Sequence, residues 1–436
     1  MRFNFKYITI VIVMLNIVQL HGQSYFSTLL PINNYSMNAR ELAMGGSWHS
    51  HGKNPAFGVF DKPTSISFDI SRRSYTEKRS FPVIDMFEDV VTQNVYVLNR
   101  PSFGSVSWKI NSDITKYVKL PLSLSLSGSP FWDMRYEYSE EIRASLGPGV
   151  YNRDPVVGYH LLNISGMIES LKFGLATKIG GKIKFGLAFE SLYDNDLSYE
   201  SGVNVLDQDD ALASDTTMIH NYYLSIDRVI RPSLGFVLNV RHNLELGFSI
   251  VSSSKVKFNT GGLVPMVNEK TQLPGFDFSD STSSYTVSLP QQIGVSLAAH
   301  LDNPTKTIVS GGINFIDWQN HDSQVIKHAM IDTVDFKYQS TVGISFGVEH
   351  WILNKTPFRF GFVYSESPLG DEFEITNVSI GSGWVYNNLS IDIAAIFGSV
   401  EYMYTDLFTP QGQTASDLER VNESNAVLKA TLTYSF

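Results

Sequence analysis

The chain has 436 residues, 33 Lys and Arg against 43 Asp and Glu, and a formal net charge of −10. That balance, with no basic stripe, argues against a nucleic-acid partner. No cysteine is present, which excludes disulfides and thiolate metal sites, and mean hydropathy near zero (−0.05) excludes a bundle of membrane helices.

Arg2 and Lys6 precede a mainly apolar run from Tyr7 to Leu20, and Gly22 offers a small residue for cleavage. This reads as a signal peptide over residues 1–22, too short for a comfortable spanning helix. Residues 23–62 lack strand alternation. They contain Ala43-Met44-Gly45-Gly46 and Asn54-Pro55-Ala56, where Pro55 fixes the backbone in either a rigid plug turn or a plain turn before the first strand. His49 and His51 stand close together but without a third ligand, so no metal is expected.

From residue 63 onward, apolar and polar residues alternate, the period of a strand with one greasy face. Ile66, Phe68 and Ile70 oppose Ser65, Ser67 and Asp69, and Leu120, Leu122, Leu124 and Leu126 oppose Ser123, Ser125 and Ser127. Between them, Val83, Phe87 and Val90 have the spacing of a short amphipathic helix. Gly128–Pro155 reads as a long loop. Hairpins follow, with tight turns at Gly180-Gly181, Arg241-His242-Asn243, Asp302–Thr305, Leu353–Thr356 and Asn387-Asn388. Asp194–Thr217 and Thr260–Thr282 read as long loops, giving an alternation of short and long connections. The closing strand, Asn425–Phe436, presents Leu432, Tyr434 and Phe436 on one face and ends the chain on an aromatic residue.

Short turns at one end, long loops at the other and dyad alternation predict an all-β fold. It is a transmembrane antiparallel β-barrel of about fourteen strands over residues 63–436, with residues 23–62 as an N-terminal hatch. The alternative is a soluble sandwich, which gives no cause for two lengths of connection. Return strands repeatedly reach a glycine, at Gly186, Gly247 and Gly361, as a bend or a close backbone approach requires. The polar face carries Lys184, Glu190, Glu245, Glu349, Arg359 and Asp392, expected to pair across the wall.

The chain resembles the FadL-type outer-membrane transporters of Gram-negative bacteria. The carrying residues are Ala43–Gly46 with Asn54–Ala56, Lys178–Tyr193 (KIGGKIKFGLAFESLY), Leu234–Ile250 (LGFVLNVRHNLELGFSI) and LPQQIGVSLAAHL with Asp317-Trp318. Val363–Pro368 and the terminal YSF complete the set. The resemblance implies a fourteen-stranded barrel in the outer membrane, plugged by Gly45, Gly46, Asn54, Pro55 and Ala56. Such a barrel passes fatty acids or hydrocarbons inward through a side opening. Only Ser47–Lys53 separates the two plug motifs, so the hatch is shorter than is usual there. PorV-like barrels, which serve protein secretion and surface attachment, share the Asn38-Ala39-Arg40 that precedes AMGG and form the competing resemblance.

Leu263, Val264, Met266, Leu273, Phe276 and Phe278 place apolar groups in an expected external loop, either as an entry groove for a greasy ligand or as loop packing. The acids of Asp194–Asp215 lack EF-hand spacing and read as a solvated face. GxSxG, P-loop, HExxH and cysteine-nucleophile signatures are absent, so neither catalysis nor a cofactor is expected. The expected partners are membrane lipid, a hydrophobic small molecule and, through the closing strand, the barrel-assembly machinery, with the barrel a monomer.

Overall fold

The computed structural model describes the chain from residue 24, except 32–36, 48–53, 58–63, 85–89, 119–120, 144–154, 207–217, 268–273, 321–322, 325–337, 353–355, 406 and 408–417. Within the elements, the side chains of 81–104, 116, 218, 262–283, 320, 323–324 and 405 are also outside the description. The expected signal peptide and His49 and His51 lie outside the described residues.

Nineteen strand segments form fourteen staves of one closed antiparallel barrel, because five staves are interrupted once. The first staves are β1 (Ser65–Ile84), β2 (Val90–Asp113), β3 (Leu122–Asp133, resuming as Tyr136–Arg143), β4 (Val156–Ile179) and β5 (Ile183–Val205). Next come β6 (Met218–Ile226 and Val229–Arg241), β7 (Leu244–Val251 and Ser254–Val267), β8 (Pro274–Leu289 and Gln291–His300) and β9 (Ile308–Asp317 and Ser323–Gln324). The last five are β10 (Thr341–Ile352), β11 (Thr356–Ser365), β12 (Ile375–Tyr386), β13 (Leu389–Thr405) and β14 (Leu418–Ser435). Each stave pairs with its neighbours in sequence, and β14 closes on β1 through Phe68↔Leu432 and Ile66↔Tyr434. Short helices α1 (Tyr25–Leu29), α2 (Ala39–Ala43) and α3 (Thr115–Val118) complete the described elements, with two single-turn 3-10 segments. No described helix is long and apolar enough to cross a membrane.

The two faces of the wall separate by period two. Phe236, Phe248, Phe346, Phe360 and Phe362 are exposed on the outside, while Lys184, Ser249, Ser310, Arg359 and Thr431 are buried on the inside. A closed wall pairs every stave on both sides, and an apolar exterior then suits hydrocarbon rather than water. The barrel is therefore a transmembrane barrel in build.

Four elements differ from the sequence expectation. In Thr260–Thr282 the described residues are strand: β7 runs to Val267 and β8 starts at Pro274, pairing Leu263↔Phe278 and Pro265↔Phe276, and 268–273 lie outside the description. Asp194 and Asp196 lie in β5 rather than in a loop. The described residues of Gly128–Pro155 are largely strand up to Arg143, where β3 ends. Of the helix expected on Val83, Phe87 and Val90, Val83 and Val90 lie instead in the paired ends of β1 and β2 (Val83↔Val91, Ile84↔Val90), and Phe87 lies outside the described residues. All four lie toward the long-loop end. A spanning stave needs only about 9–11 residues, whereas β4 has 24 and β5 has 23. The surplus stands outside the bilayer with water on its outer side, where nothing enforces an apolar outer face.

Candidate functional site

The N-terminal segment lies inside the barrel. α2 starts with a capping box: Asn38 Oδ1 accepts from Glu41 N at 2.9 Å, and Asn38 N donates to Glu41 Oε2 at 3.1 Å. The next amide, Ala39 N, donates to Thr431 Oγ1 of β14 at 2.7 Å, so this five-residue helix is held by the wall. After it, Gly45 (φ +66°) and Gly46 (φ +60°) take the left-handed turn that glycine allows. A Cβ on Gly45 would stand 2.7 Å from Phe362 O, so the turn lies flat on β10 and β11.

The strand glycines provide the matching surface. A Cβ on Gly361 would lie 2.6 Å from Met44 C, one on Gly347 2.8 Å from Met44 Cβ, and one on Gly186 2.5 Å from Pro55 O. Gly247 faces the Phe57 ring, and Gly235 faces Asn54. The recurring strand glycines are thus docking positions for the N-terminal backbone. Asn54 adds direction: its Nδ2 donates to Phe236 O (3.2 Å) and Phe248 O (3.1 Å), and its Oδ1 accepts from Ala56 N. Ala56 and Phe57 are buried with Val237 and Ala298.

Charge fixes the other side. Arg40 binds Glu349 with both ends of its guanidinium, at 2.8 and 2.7 Å, and Arg359 Nε donates to the same carboxylate at 2.6 Å. Arg359 also pairs with Asp392 at 2.8 Å. Burial opposes the charge on Arg40, but the facing Glu349 outweighs it and raises the guanidinium pKa further. Lys184–Glu245 (3.9 Å) forms a second pair across the wall, and Glu190 lies opposite Lys172 and Arg231 on its neighbouring staves.

Toward the loop end, α1 packs its Tyr25 and Phe26 among Tyr136, Phe373, Tyr402 and Tyr404. Trp132 of β3 donates to Ser27 O at 2.7 Å. Beneath these rings, Glu77 accepts from Arg79, Tyr75 and Tyr136, and Glu423 accepts from Ser24 and Tyr402. None of these residues stood out in the sequence.

Between the N-terminal segment and the wall of β7–β14, β1 and β2 lies a cavity of ≈ 360 Å³. Phe26, Trp318, Leu369, Phe373, Ile396 and Val400 give it apolar lining, and Ser296, Asn314, Ser345, Asn377 and Asn425 give it polar lining.

Among the described residues, one ladder of the wall stops close to the turn end. The β2–β3 ladder runs from Asp113↔Ser123 only to Trp108↔Gly128. Beyond that rung β2 pairs with β1 alone, and β3 with β4 alone. Two bulges flank the parting, at Gly104 of β2 opposite Ser71 and Arg72, and between Pro130 and Trp132 on β3. The facing edges each carry a proline, Pro101 and Pro130, a residue that sheets tolerate at an edge. Those prolines were the available sequence signal.

Structural neighbours can now be set beside this geometry. A Pseudomonas aeruginosa FadL homologue matches with a TM-score of 0.60 at 14% identity, covering 93% of this chain and 100% of that one. The Ralstonia pickettii toluene transporter TbuX matches at 0.51 and 13% identity, covering 93% and 99%. The P. putida toluene transporter TodX matches at 0.52 and 12% identity, again covering 93% and 99%. The fold is that of the FadL-type barrels. No family model matches the chain, and no curated protein matches it by sequence.

Within this FadL-type fold, the residues expected in the hatch fall into two groups. Gly45 sits against β10 and β11, Gly46 against Met37 of the same segment, and Asn54, Pro55 and Ala56 against β5–β7. The residues expected in a loop groove fall outside the described side chains. Leu263, Val264, Met266, Phe276 and Phe278 are strand residues whose side chains lie outside the description, and Leu273 is outside it altogether. Leu432 and Tyr434 face outward on the stave that closes the barrel, and Phe436 follows it.

Proposed function

We propose that this barrel is a passive outer-membrane channel for hydrophobic small molecules, fatty acids or hydrocarbons. The ligand enters at the loop end, rests in the cavity, and leaves sideways through the parting between β2 and β3. Residues 23–62 act as the hatch that denies it a straight path to the turn end. The observation that carries this reading is the ladder that stops at Trp108↔Gly128. A stave crosses the hydrocarbon in about 9–11 residues, so a ladder that ends this close to the turn ends within the bilayer's height. An unpaired edge there needs a reason, since lipid satisfies no backbone group. A ligand path into the membrane is such a reason. The toluene transporters among the structural neighbours support the same substrate class.

Uptake of radiolabelled oleate and toluene by cells with and without the gene tests the proposal. Faster uptake of at least one in the presence of the gene is expected; equal rates for both would overturn it. The aromatic C-terminus on the closing stave is read as the signal for assembly machinery, and the barrel as a monomer. One observation favours the alternative scaffold role in secretion or surface attachment: β4 and β5, at 24 and 23 residues, raise a wall well above the membrane. Recovery of secreted proteins on the intact barrel, lost on trimming that wall, would support it.

A further inference from the structure

Among the described residues, one buried carboxylate at the loop end has no cation within ion-pair distance. Glu423 of β14 stands directly opposite Glu77 of β1 in the ladder, and the two are 6% and 0% exposed. Like charges facing each other across a strand pair repel. Glu77 has its counter-charge: Arg79 Nε donates to it at 2.7 Å, and the hydroxyls of Tyr75 and Tyr136 donate at 3.1 Å. The same guanidinium reaches on to Glu419 at 3.3 Å. Glu423 receives hydroxyls alone, from Ser24, Tyr75 and Tyr402. A carboxylate out of water ordinarily has a cation beside it, because hydroxyls do not cancel its charge.

This rung stands above the hydrocarbon. The outward residues flanking it are Thr76, Ser424 and Ser399 on the turn side and Lys78, Asn422 and Glu401 on the loop side, all polar. Burial, and after it the facing Glu77, push the Glu423 carboxyl up to about 7, the opposite of what a paired carboxylate shows. The N-terminal segment touches this group through Ser24, whose Oγ donates to Glu423 Oε1 at 3.0 Å, and both residues line the cavity. Ser24 is held in place by α1, whose Tyr25 and Phe26 pack among Tyr136, Tyr402 and Tyr404 while Ser27 O accepts from Trp132. Cleavage after Gly22 would make Gln23 the first residue of the chain. Its α-nitrogen then belongs to the residue next to Ser24, one Cα step of about 3.8 Å away.

We propose that the α-ammonium group created by cleavage after Gly22 is the counter-ion of Glu423, brought to it by the Ser24 contact at the edge of the cavity. The inference rests on that cleavage site and is independent of which ligand the channel carries. Water, delivered by a signal peptidase, splits the Gly22–Gln23 amide: the carbonyl carbon of Gly22 takes the oxygen, and the nitrogen of Gln23 leaves as an amine that is protonated at neutral pH. An uncleaved chain offers only a neutral amide there. The ion pair therefore forms after the leader is removed, and its charge-assisted hydrogen bond then fastens α1 beside the cavity.

The test uses the barrel purified from outer membranes in detergent, with its first residue read by mass spectrometry. The α-amine is labelled by reductive methylation over a range of pH, and the modification is followed on the N-terminal peptide. An ordinary α-amino group titrates at about 8. Against Glu423 the midpoint is expected about one unit higher, so that about tenfold less free amine is present at pH 7. Glu423→Gln, which keeps the shape and the hydrogen bonds, should bring the midpoint back to the ordinary value or below it, whereas crowding alone slows labelling at every pH alike. Folding of the variant is checked by its heat-dependent shift on denaturing gels. If it does not fold, the midpoint of the unaltered barrel against that of the same chain in denaturant decides. An ordinary midpoint in the native barrel would overturn the inference, as would a raised one that Glu423→Gln leaves in place, since Glu423 would then be satisfied by a proton. A mass showing a different first residue, or Gln23 cyclised to pyroglutamate, would overturn it as well.

Discussion

Against β10–β13 the N-terminal segment is held by ions, and against β5–β7 by an amide and an aromatic ring. Arg40 reaches Glu349, which Arg359 also holds, and the carboxylate is fully shielded while Arg40 keeps 32% of its side chain exposed. Asn54 instead donates to carbonyls of Phe236 and Phe248, on staves already paired on both sides. Both contacts position the same segment. They differ in what remains when one partner is taken away: a buried guanidinium in the first case, ladder carbonyls with their own partners in the second. The strength of each anchor follows from that remainder rather than from the number of bonds drawn.

The largest effect is expected from Glu349→Ala. It leaves Arg359 with Asp392 and Ser382 O but without its closest partner, and Arg40 with none of its carboxylate bonds. Removing one side of a buried pair is worth about 3 kcal/mol. The loss saturates once the segment leaves the lumen, because Arg40 is then hydrated. Native-state proteolysis of the segment, with barrel folding followed separately on gels, reads the difference. A segment as protected as in the unaltered protein would show that the ionic anchor is not the stronger one.

Gly45→Ala comes next. The new Cβ would meet a left-handed backbone and the Phe362 and Phe346 carbonyls at 2.7 and 2.9 Å, all of it backbone that cannot rotate away. About 2 kcal/mol of docking is expected to be lost. The same proteolysis assay ranks it below Glu349→Ala; a larger effect would mean that close backbone fit, not charge, dominates the β10–β13 side.

The spanning part of the barrel was readable because hydrocarbon on one side and lumen on the other impose period two: Leu122, Leu124 and Leu126 against Ser123 and Ser125 could be little else. Above the bilayer that constraint ends. Pro265, Pro274, Gly275 and Asp277 then look like loop residues although they sit in paired staves. Glycines at 186, 247 and 361 announced a close approach but not what approaches, since nothing in a strand's local sequence names its distant neighbour. The paired charges of the wall were visible as types, whereas Arg40, their partner from the N-terminal segment, carried no periodic signal. The tyrosine and glutamate cluster around Arg79 was missed for the same reason, being assembled from β1, β3, β13, β14 and α1.

Asn54→Leu should have the smallest effect of the three, and its size is the sharper test of the contrast between anchors. The substitution keeps the volume and removes two donors to the wall and one acceptor for Ala56 N. The wall carbonyls remain in their ladders, so only the Ala56 amide is left to find another partner. That places the expected loss at about 1 kcal/mol. Leucine must also fit against Gly235, where the Asn54 carboxamide now lies so close that a Cβ would stand 2.9 Å from Asn54 Cγ. If Asn54→Leu released the segment as completely as Glu349→Ala, the ladder carbonyls would have to depend on Asn54 for their pairing, and the neutral anchor would be the one that fixes the N-terminal segment in the barrel.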